Sequence, residues 1–429
     1  MLNRVFSRSL DPTEVLSKAL HDHPLPPLDR GLATELVYGA CRQRYAIESL
    51  LPKYLKLPIN KMEQTLVNLL RLGVYQLLYL DQVPAHAAIY ETVELGKQLD
   101  EGAGRFVNAI LRSVLRDRDA DGAALRPPPE RALPGWLWHR WVRRLGEEQA
   151  RAAAKAMVTI PPLHLRVNPL RTNRDTVLAA LNEKGILVEA SPIAPEGIIL
   201  QERHPVETLP GFREGWWYVQ DIGAMMVSRV LDPQPGERVL DLCAAPGGKT
   251  THIAELMEDR GYLVAVDRDA ARIRKVKENC ERLGITMVEM RVANVATSQV
   301  NLALADRVLA DVPCSGFGVI RRQPDVLWRK DRAELARLPA EQLAILKQAA
   351  SLVKKGGVLV YSTCTTEPEE NEAVVTRFLA ETNGFTVDSI LPYLPQEWHS
   401  HVNEAGTILL WPQWSGTDGF FIARLVRHG

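Results

Sequence analysis

The sequence predicts a multidomain chain: an all-α helical domain, a small α+β middle domain, and a Rossmann-like α/β domain built on a doubly wound parallel sheet. Three observations predict this. Apolar residues recur at helical spacing from Asp11 to about Leu115. A charged, proline-rich break, "RDRDADGAALRPPPE", follows. From about Trp216 onward, strand and helix patterns alternate. These features divide the 429 residues into 1–125, 126–215 and 216–429.

Within the first part, "PLDRGLATELVYGACRQRYAIESLLPKYL" places Leu32, Leu36, Tyr38, Ile47 and Leu50 near helical spacing. Asp29 is the expected N-cap, since a carboxylate can accept from free amides of a first turn. "KMEQTLVNLLRLGVYQLLYLDQVP" is a strongly apolar helix that stops before Pro84. "AAIYETVELGKQL" and "GRFVNAILRSVLR" read as two more. Short connections between such segments predict an α-helical bundle.

After the break, "LPGWLWHRWVRRLGEEQARAAAKAM" is amphipathic. It sets Trp136, Trp138 and Trp141 beside Arg140, Arg143 and Arg144. Aromatic faces next to arginines suit single-stranded RNA. The same pattern also arises from helix-packing tryptophans beside solvated arginines. "LHLRVNPL", "GILVEASPIAPEGIIL" and "TLPGFREGWWYVQD" then read as short strands around one helix, "RDTVLAALNEKG".

Lys plus Arg and Asp plus Glu stand at 52 each, so no nucleic-acid partner is announced by total charge. A local basic surface could still serve one. The five cysteines, with no C-x-x-C pair, argue against a disulfide framework and a zinc ribbon. No run of ~18 apolar residues is present, and the N-terminal segment lacks the apolar stretch of a signal peptide. The expectation is a cytoplasmic monomer with no membrane span and no metal.

"RVLDLCAAPGGKTTHIAELM" is a strand, a glycine-rich turn and a helix. In open α/β sheets, ligands bind beyond the carboxyl ends of the strands. Gly247 and Gly248 permit close backbone approach. The turn is neither a dinucleotide fingerprint nor a P-loop, because A-A-P-G-G-K lacks the required glycines. The next strand ends at Asp267, about twenty residues on, where an acid can accept from two ribose hydroxyls. Strand, glycine turn, helix, strand and acid without a phosphate fingerprint indicate S-adenosylmethionine. The alternative for Asp267 is capping the following helix. Asp241 either holds the amino group of the methionine end or supports the turn.

Cys314, in "LADVPCSG", and Cys364, in "LVYSTCTTEPEEN", follow two successive C-terminal strands. A thiol facing a methyl donor suits a carbon that needs covalent activation. Cytosine C5 is such a carbon: a thiolate adds at C6, and C5 becomes nucleophilic. Asp311 is placed to hydrogen bond the ring N3 and exocyclic amine. Each cysteine could alternatively be a small buried apolar residue. On residues alone, which thiol attacks stays open.

"DLCAAPGGKT", "DVPCSG" and "YSTCTTEPEENE" resemble the motifs of the RNA cytosine-5 methyltransferases of the NOL1/NOP2/Sun family. "LVYGACRQR", "LLRLGVYQLLYL" and "RFVNAILRSVLR" resemble the NusB fold of antitermination proteins. The resemblance implies a class I methyltransferase domain, a NusB-like RNA-docking domain and 16S rRNA as substrate, at cytosine 967. It implies Cys364 as nucleophile and Cys314 as the thiol that assists product release. It implies that Cys243, Ala244, Ala245, Pro246, Gly247, Gly248 and Lys249 line the cofactor pocket. Asp267 would bind the ribose, and Asp311 would lie between cofactor and base. The family usually carries an acid near the adenine after the third strand. Here Asn294 stands at the matching position, and its carbonyl oxygen can still accept from an amine.

"GFGVIRRQPDVLWRKDRAELARL", after Cys314, is expected to cover the site and hold phosphates through Arg321, Arg322, Arg329, Lys330 and Arg332. Its alternative is an ordinary charged surface. Two other functions remain: the same chemistry on tRNA or another RNA, and a regulatory RNA-binding factor with a vestigial catalytic domain. The NusB-like part disfavours the first, and the intact cysteines disfavour the second.

Overall fold

The structure is a computed structural model describing residues 1–8, 10–202, 204–297 and 301–428. The chain divides into two compact units. One comprises Met1–Ile160 and Ile320–Arg329, the other Pro161–Val319 and Lys330–Gly429.

The first unit is helical. Its core is Ile47, Leu70, Val74, Leu78, Val107, Leu111 and Val114, contributed mainly by helices Gln64–Tyr79 and Glu101–Asp121. Polar side chains start these helices by accepting amides that have no intrahelical partner. Glu63 accepts from Thr65 N and Leu66 N, and Asp100 accepts from Ala103 N. Asp29 does not cap its helix. That helix, Pro27–Arg42, begins two residues earlier, directly after Pro26. Proline suits a first helical position because its missing N–H is not needed there. Leu32 is also off the core face, at 40% exposure.

The break foreseen at residues 116–130 is partly helix. Glu101–Asp121 runs through its first six residues. Asp117 is held by Lys53 and Tyr54, and Arg118 donates to Leu77 O. The two helices that follow, Gly135–Leu145 and Glu147–Val158, fall in this unit. Trp141 is fully buried, so at that position packing accounts for the tryptophan.

The second unit carries two sheets. The smaller has strands β1 (Leu163–Val167), β2 (Val188–Ala190), β3 (Gly197–Leu200) and β4 (Trp217–Val219), in antiparallel order β2-β3-β1-β4. Helix Arg174–Glu183 covers it through Val177 and Leu181. The larger sheet has β5 (Arg238–Asp241), β6 (Tyr262–Asp267), β7 (Val288–Val292), β8 (Ala305–Asp311), β9 (Val353–Thr363), β10 (Phe385–Asp388), β11 (Ile408–Leu409) and β12 (Phe421–Arg427).

Its order is β10-β12-β9-β8-β5-β6-β7, with β11 pairing β12. Strands β5 to β9 are parallel, whereas β12 runs antiparallel to β9 and to β10. The central strands are buried on both faces, as helix-covered parallel strands must be. The chain steps outward from β5 to β7 and then returns to β8 on the other side of β5. That reversal opens a crevice at the carboxyl ends of β5 and β8.

Truncating the buried Trp141 to alanine should cost roughly 3–5 kcal/mol. Urea unfolding of the full chain measures this. A loss below about 1 kcal/mol would contradict its packed position.

Candidate active site

Asp241, Asp267 and Asp311 end β5, β6 and β8, and Cys364 follows the last residue of β9. Parallel pairing aligns these ends: Asp241 sits opposite Ala265 and Leu309, and Asp311 opposite Ser362.

The glycine-rich turn is fastened on several sides. Ala244 N donates to Val266 O at 2.9 Å, and Ala245 N donates to Asp267 Oδ2 at 3.2 Å. The Ala245–Pro246 peptide is cis. Arg272 and Asn279, both on helix Ala270–Leu283, donate to Ala245 O at 2.6 Å and to Pro246 O at 2.9 Å. Gly247 adopts φ +105°, and a Cβ there would lie 3.1 Å from Val276 Cα. Both facts select glycine. Helix Gly248–Leu256 starts at once.

Arg166, on β1 of the smaller sheet, is fully buried and grips this helix start. It makes a two-pronged pair with Glu255 at 2.7 Å and 2.7 Å. It also donates to Thr251 Oγ1 at 2.9 Å, Gly248 O at 2.6 Å, and Gln220. Such a fork holds geometry that a lysine could not.

Asp267 is 5% exposed and accepts from Ala245 N and from Asp269 N. It does not cap the next helix. Asp269 does, accepting from Ala271 N and Arg272 N. Asn294 lies in the loop after β7, beside Ala293, whose N–H donates to Asp267 O. Its side-chain oxygen accepts from Ala296 N at 3.1 Å, which leaves one lone pair on that oxygen.

Asp241 is fully enclosed. Its Oδ2 accepts from Thr250 Oγ1 at 2.7 Å, while Oδ1 has no partner. Burial pushes this carboxyl up to about 7, against the Thr250 hydrogen bond and with the Asp311 charge adding to the rise. Burial also pushes the Cys243 thiol well above its ordinary range.

Lys249 Nζ donates to Asp311 Oδ2 at 2.7 Å and lies 5.1 Å from the Phe420 ring centroid. Burial works to lower this amine, but the charge and hydrogen bond of Asp311, with Cys364 and Asp241 nearby, together outweigh it and the net shift is upward. Asp311 Oδ1 accepts from Ser362 Oγ at 2.7 Å. The carboxylate is thus fixed from both sides and keeps further lone pairs.

Cys314 Sγ and Cys364 Sγ stand 3.2 Å apart. The Cys314 thiol is raised well above its usual range, first by the hydrogen bond to Cys364, then by burial and nearby negative charge, including Glu370. Either sulfur could donate in this contact. Gly318 N donates to Cys364 O at 3.0 Å, and Gly419 N donates to Gly318 O at 2.8 Å. A Cβ on Gly318 would meet Gly419 O at 2.2 Å, so only glycine permits this crossing.

The site expectations meet the structure unevenly. The turn, Asp267, Asp311 and both cysteines line the sheet's switch point. Within the basic segment after Cys314, Arg321 departs from its expected role. Residues Ile320–Arg329 belong to the helical unit, where Arg321 is 5% exposed, Arg42 donates to Arg321 O, and Tyr45 donates to Leu327 O. Arg329 pairs with Asp325, and Lys330 pairs with Glu334. Arg321 is therefore a packing residue rather than a phosphate clamp. Arg166 was missed, although an arginine inside the strand pattern "LHLRV" was a legible oddity. Among the described residues, no cluster of His, Cys, Asp and Glu could hold a metal, and no helix is long and apolar enough to cross a membrane.

Two predictions follow from the buried charges. Arg166→Met strands the Glu255 carboxylate and should cost roughly 3–5 kcal/mol, largely restored by adding Glu255→Leu. Urea midpoints of both variants measure this. Asp241 has a folded-state pKa above its ordinary 3.8, so the folded chain keeps a proton that the unfolded chain loses. That contribution is complete below about pH 4 and is lost as pH rises through about 7. Asp241→Asn should flatten this fall, read as urea midpoints across the same range.

Comparison with known proteins agrees with this architecture. Residues 228–426 match the family described as 16S rRNA methyltransferase RsmB/F. Residues 3–116 match the NusB family, and 133–207 match the ferredoxin-like domain of RsmF/B-like methyltransferases. A probable ribosomal RNA small subunit methyltransferase B of Synechocystis sp. is 40% identical over 96% of this chain and 94% of its own length. One from Bacillus subtilis is 38% identical over 100% and 96%. The crystal structure of PH0851 superposes with a TM-score of 0.80 at 27% identity, covering 95% of this chain and 93% of that one. With full-length relatives at this identity and all three domains matched, the chain belongs to the 16S rRNA methyltransferase RsmB/F family.

Proposed function

We propose that this chain methylates C5 of a cytosine in 16S rRNA, with S-adenosylmethionine as methyl donor and a transient bond between Cys364 and C6. The observation that carries the reading is the 3.2 Å pair of sulfurs at the sheet's switch point, beside the carboxylate of Asp311. The family's RNA substrate supports the RNA class, and cytosine 967 is the target that the family resemblance implies.

The residues fit the cofactor. A buried carboxylate oxygen of Asp241 without a partner suits an ammonium group. The turn Cys243–Lys249 lets a ligand approach its backbone, and Asp267 stands at the end of β6 where ribose hydroxyls are held. Asn294 is assigned to the adenine side. When bound, S-adenosylmethionine supplies an electrophilic methyl group.

The protein's own residues perform the rest. A base flipped from its stack or lying in a single-stranded loop can enter the crevice. Asp311 accepts from its exocyclic amine with a lone pair that Lys249 and Ser362 leave unused. The Cys364 thiolate adds to C6, and the electron pair displaced from C5=C6 makes C5 nucleophilic. After C5 gains the methyl group, its proton leaves to solvent and the C5=C6 bond re-forms. The C6–Sγ bond breaks, and its electron pair returns to Cys364. Cys314, 3.2 Å away, donates a hydrogen bond to that departing sulfur and so eases release.

Tritiated methyl donor, unmodified 16S rRNA and a tRNA pool test the substrate. Label is expected in the rRNA as 5-methylcytosine, and label confined to tRNA would overturn the rRNA assignment. Cys364→Ala should abolish turnover with no adduct. Cys314→Ala should accumulate a denaturant-resistant protein–RNA species. An adduct that persists without Cys364 would reverse the two roles.

A further inference from the structure

The PC loop of Cys314 is anchored by a carboxylate that the chemistry above does not use. Glu370 lies in the turn between β9 and helix Glu372–Glu381 and is fully buried. Its Oε2 accepts from Ser315 N at 2.9 Å and from Gln342 Nε2 at 2.8 Å. Its Oε1 accepts from Ser315 Oγ at 2.5 Å. Gln342 Nε2 also donates to Pro313 O at 3.0 Å. Both neighbours of Cys314 are therefore pinned by one two-residue anchor, Glu370 with Gln342. Ser315 Oγ further meets Thr365 Oγ1 at 2.7 Å, tying the loop to the residue after Cys364. Tyr361, on β9, donates its hydroxyl to Glu370 O at 2.6 Å and fixes the anchor's own backbone.

The anchor has an electrostatic side. A buried carboxylate with three donors is costly to keep unless those donors satisfy it. Its charge is among the causes that raise the Cys314 thiol, so it favours the proton staying on that sulfur. A protonated Cys314 can donate to the departing Cys364 thiolate, whereas a deprotonated one would repel it as a like charge at contact distance.

We propose that Glu370 is a positioning residue for product release: through Ser315 and Gln342 it holds Cys314 as the hydrogen-bond donor that faces Cys364. This rests on the release role of Cys314 given above.

Glu370→Gln tests it with little change of shape. The glutamine oxygen can accept from Ser315 N and Gln342, and its amide can donate to Ser315 Oγ, so the charge is removed while partners remain. The full-length variant is mixed with 16S rRNA and methyl donor, quenched in denaturant and run on a denaturing gel. Methyl transfer in the first turnover should survive. Multiple turnover should fall on the order of tenfold, with an RNA-linked protein band accumulating as for Cys314→Ala. Ser315→Ala, which removes one of the three contacts, should give a weaker band and serves if Glu370→Gln folds poorly. If both variants slow first-turnover transfer and release alike, with no band, Glu370 is merely structural and the inference fails. A band with Cys314→Ala but none with either variant overturns it alone. Absence of the band from Cys314→Ala itself overturns the release role and this inference with it.

Discussion

The ion pair between Lys249 and Asp311 joins the two halves of the site. Lys249 belongs to the first turn of the helix that opens at the glycine-rich loop, and Asp311 ends β8. Their 2.7 Å contact fixes the cofactor-side turn against the strand that leads to Cys314. Ser362 extends the link to β9, one strand further and two residues before Cys364. A part-buried pair of this kind adds little net stability, because desolvation offsets much of the attraction. Its value is geometric: an ammonium and a carboxylate that must satisfy each other admit few alternative arrangements. With Arg166 gripping the same helix from the smaller sheet, the turn is held from both flanks.

The site shows how the protein holds two thiols at contact distance without relying on loop rigidity alone. Backbone crossings at Gly318 and Gly419 bring the loops after β8 and before β12 against the carbonyl of Cys364. The buried network of Glu370, Gln342, Ser315 and Thr365 then fastens the loop from beneath. Both Glu370 oxygens, Ser315 Oγ and Gln342 Nε2 have partners inside the protein, the condition for such groups to rigidify rather than destabilise, while Gln342 Oε1 has none. Oδ1 of Asp241 is likewise buried without a partner, at the place assigned to the cofactor's charged end.

Charge patterns mislead where they are read without burial. The run after Cys314 carries six basic residues, and its composition suggests a phosphate-binding cover. Yet Ile320–Arg329 packs as part of the helical unit, with Phe6 and Trp328 rings 5.0 Å apart and the Arg44 guanidinium 5.2 Å from the Trp328 centroid. An arginine is long enough to bury its stem in such a setting, so its charge in the sequence does not locate it at a surface. The same holds for Trp141 beside Arg140 and Arg143, where the aromatic ring is spent on packing.

The chain's own pattern determined the three-part architecture, the parallel α/β alternation and the residues at its strand ends. These are local or periodic properties: apolar spacing sets helix or strand, and a strand's last residue is legible from the turn that follows. That is why Gly247, Asp267, Asp311, Cys314 and Cys364 could be named from the sequence. Only the tertiary structure decided which residues share a contact. Arg166 lies 82 positions from Gly248, and Glu370 lies 55 from Ser315. No periodicity links such pairs, since they meet through the order of strands in the sheets. The helix cap at Asp29 and the free linker failed for a related reason. Both are marginal local preferences, and packing of the surrounding helices outweighs them.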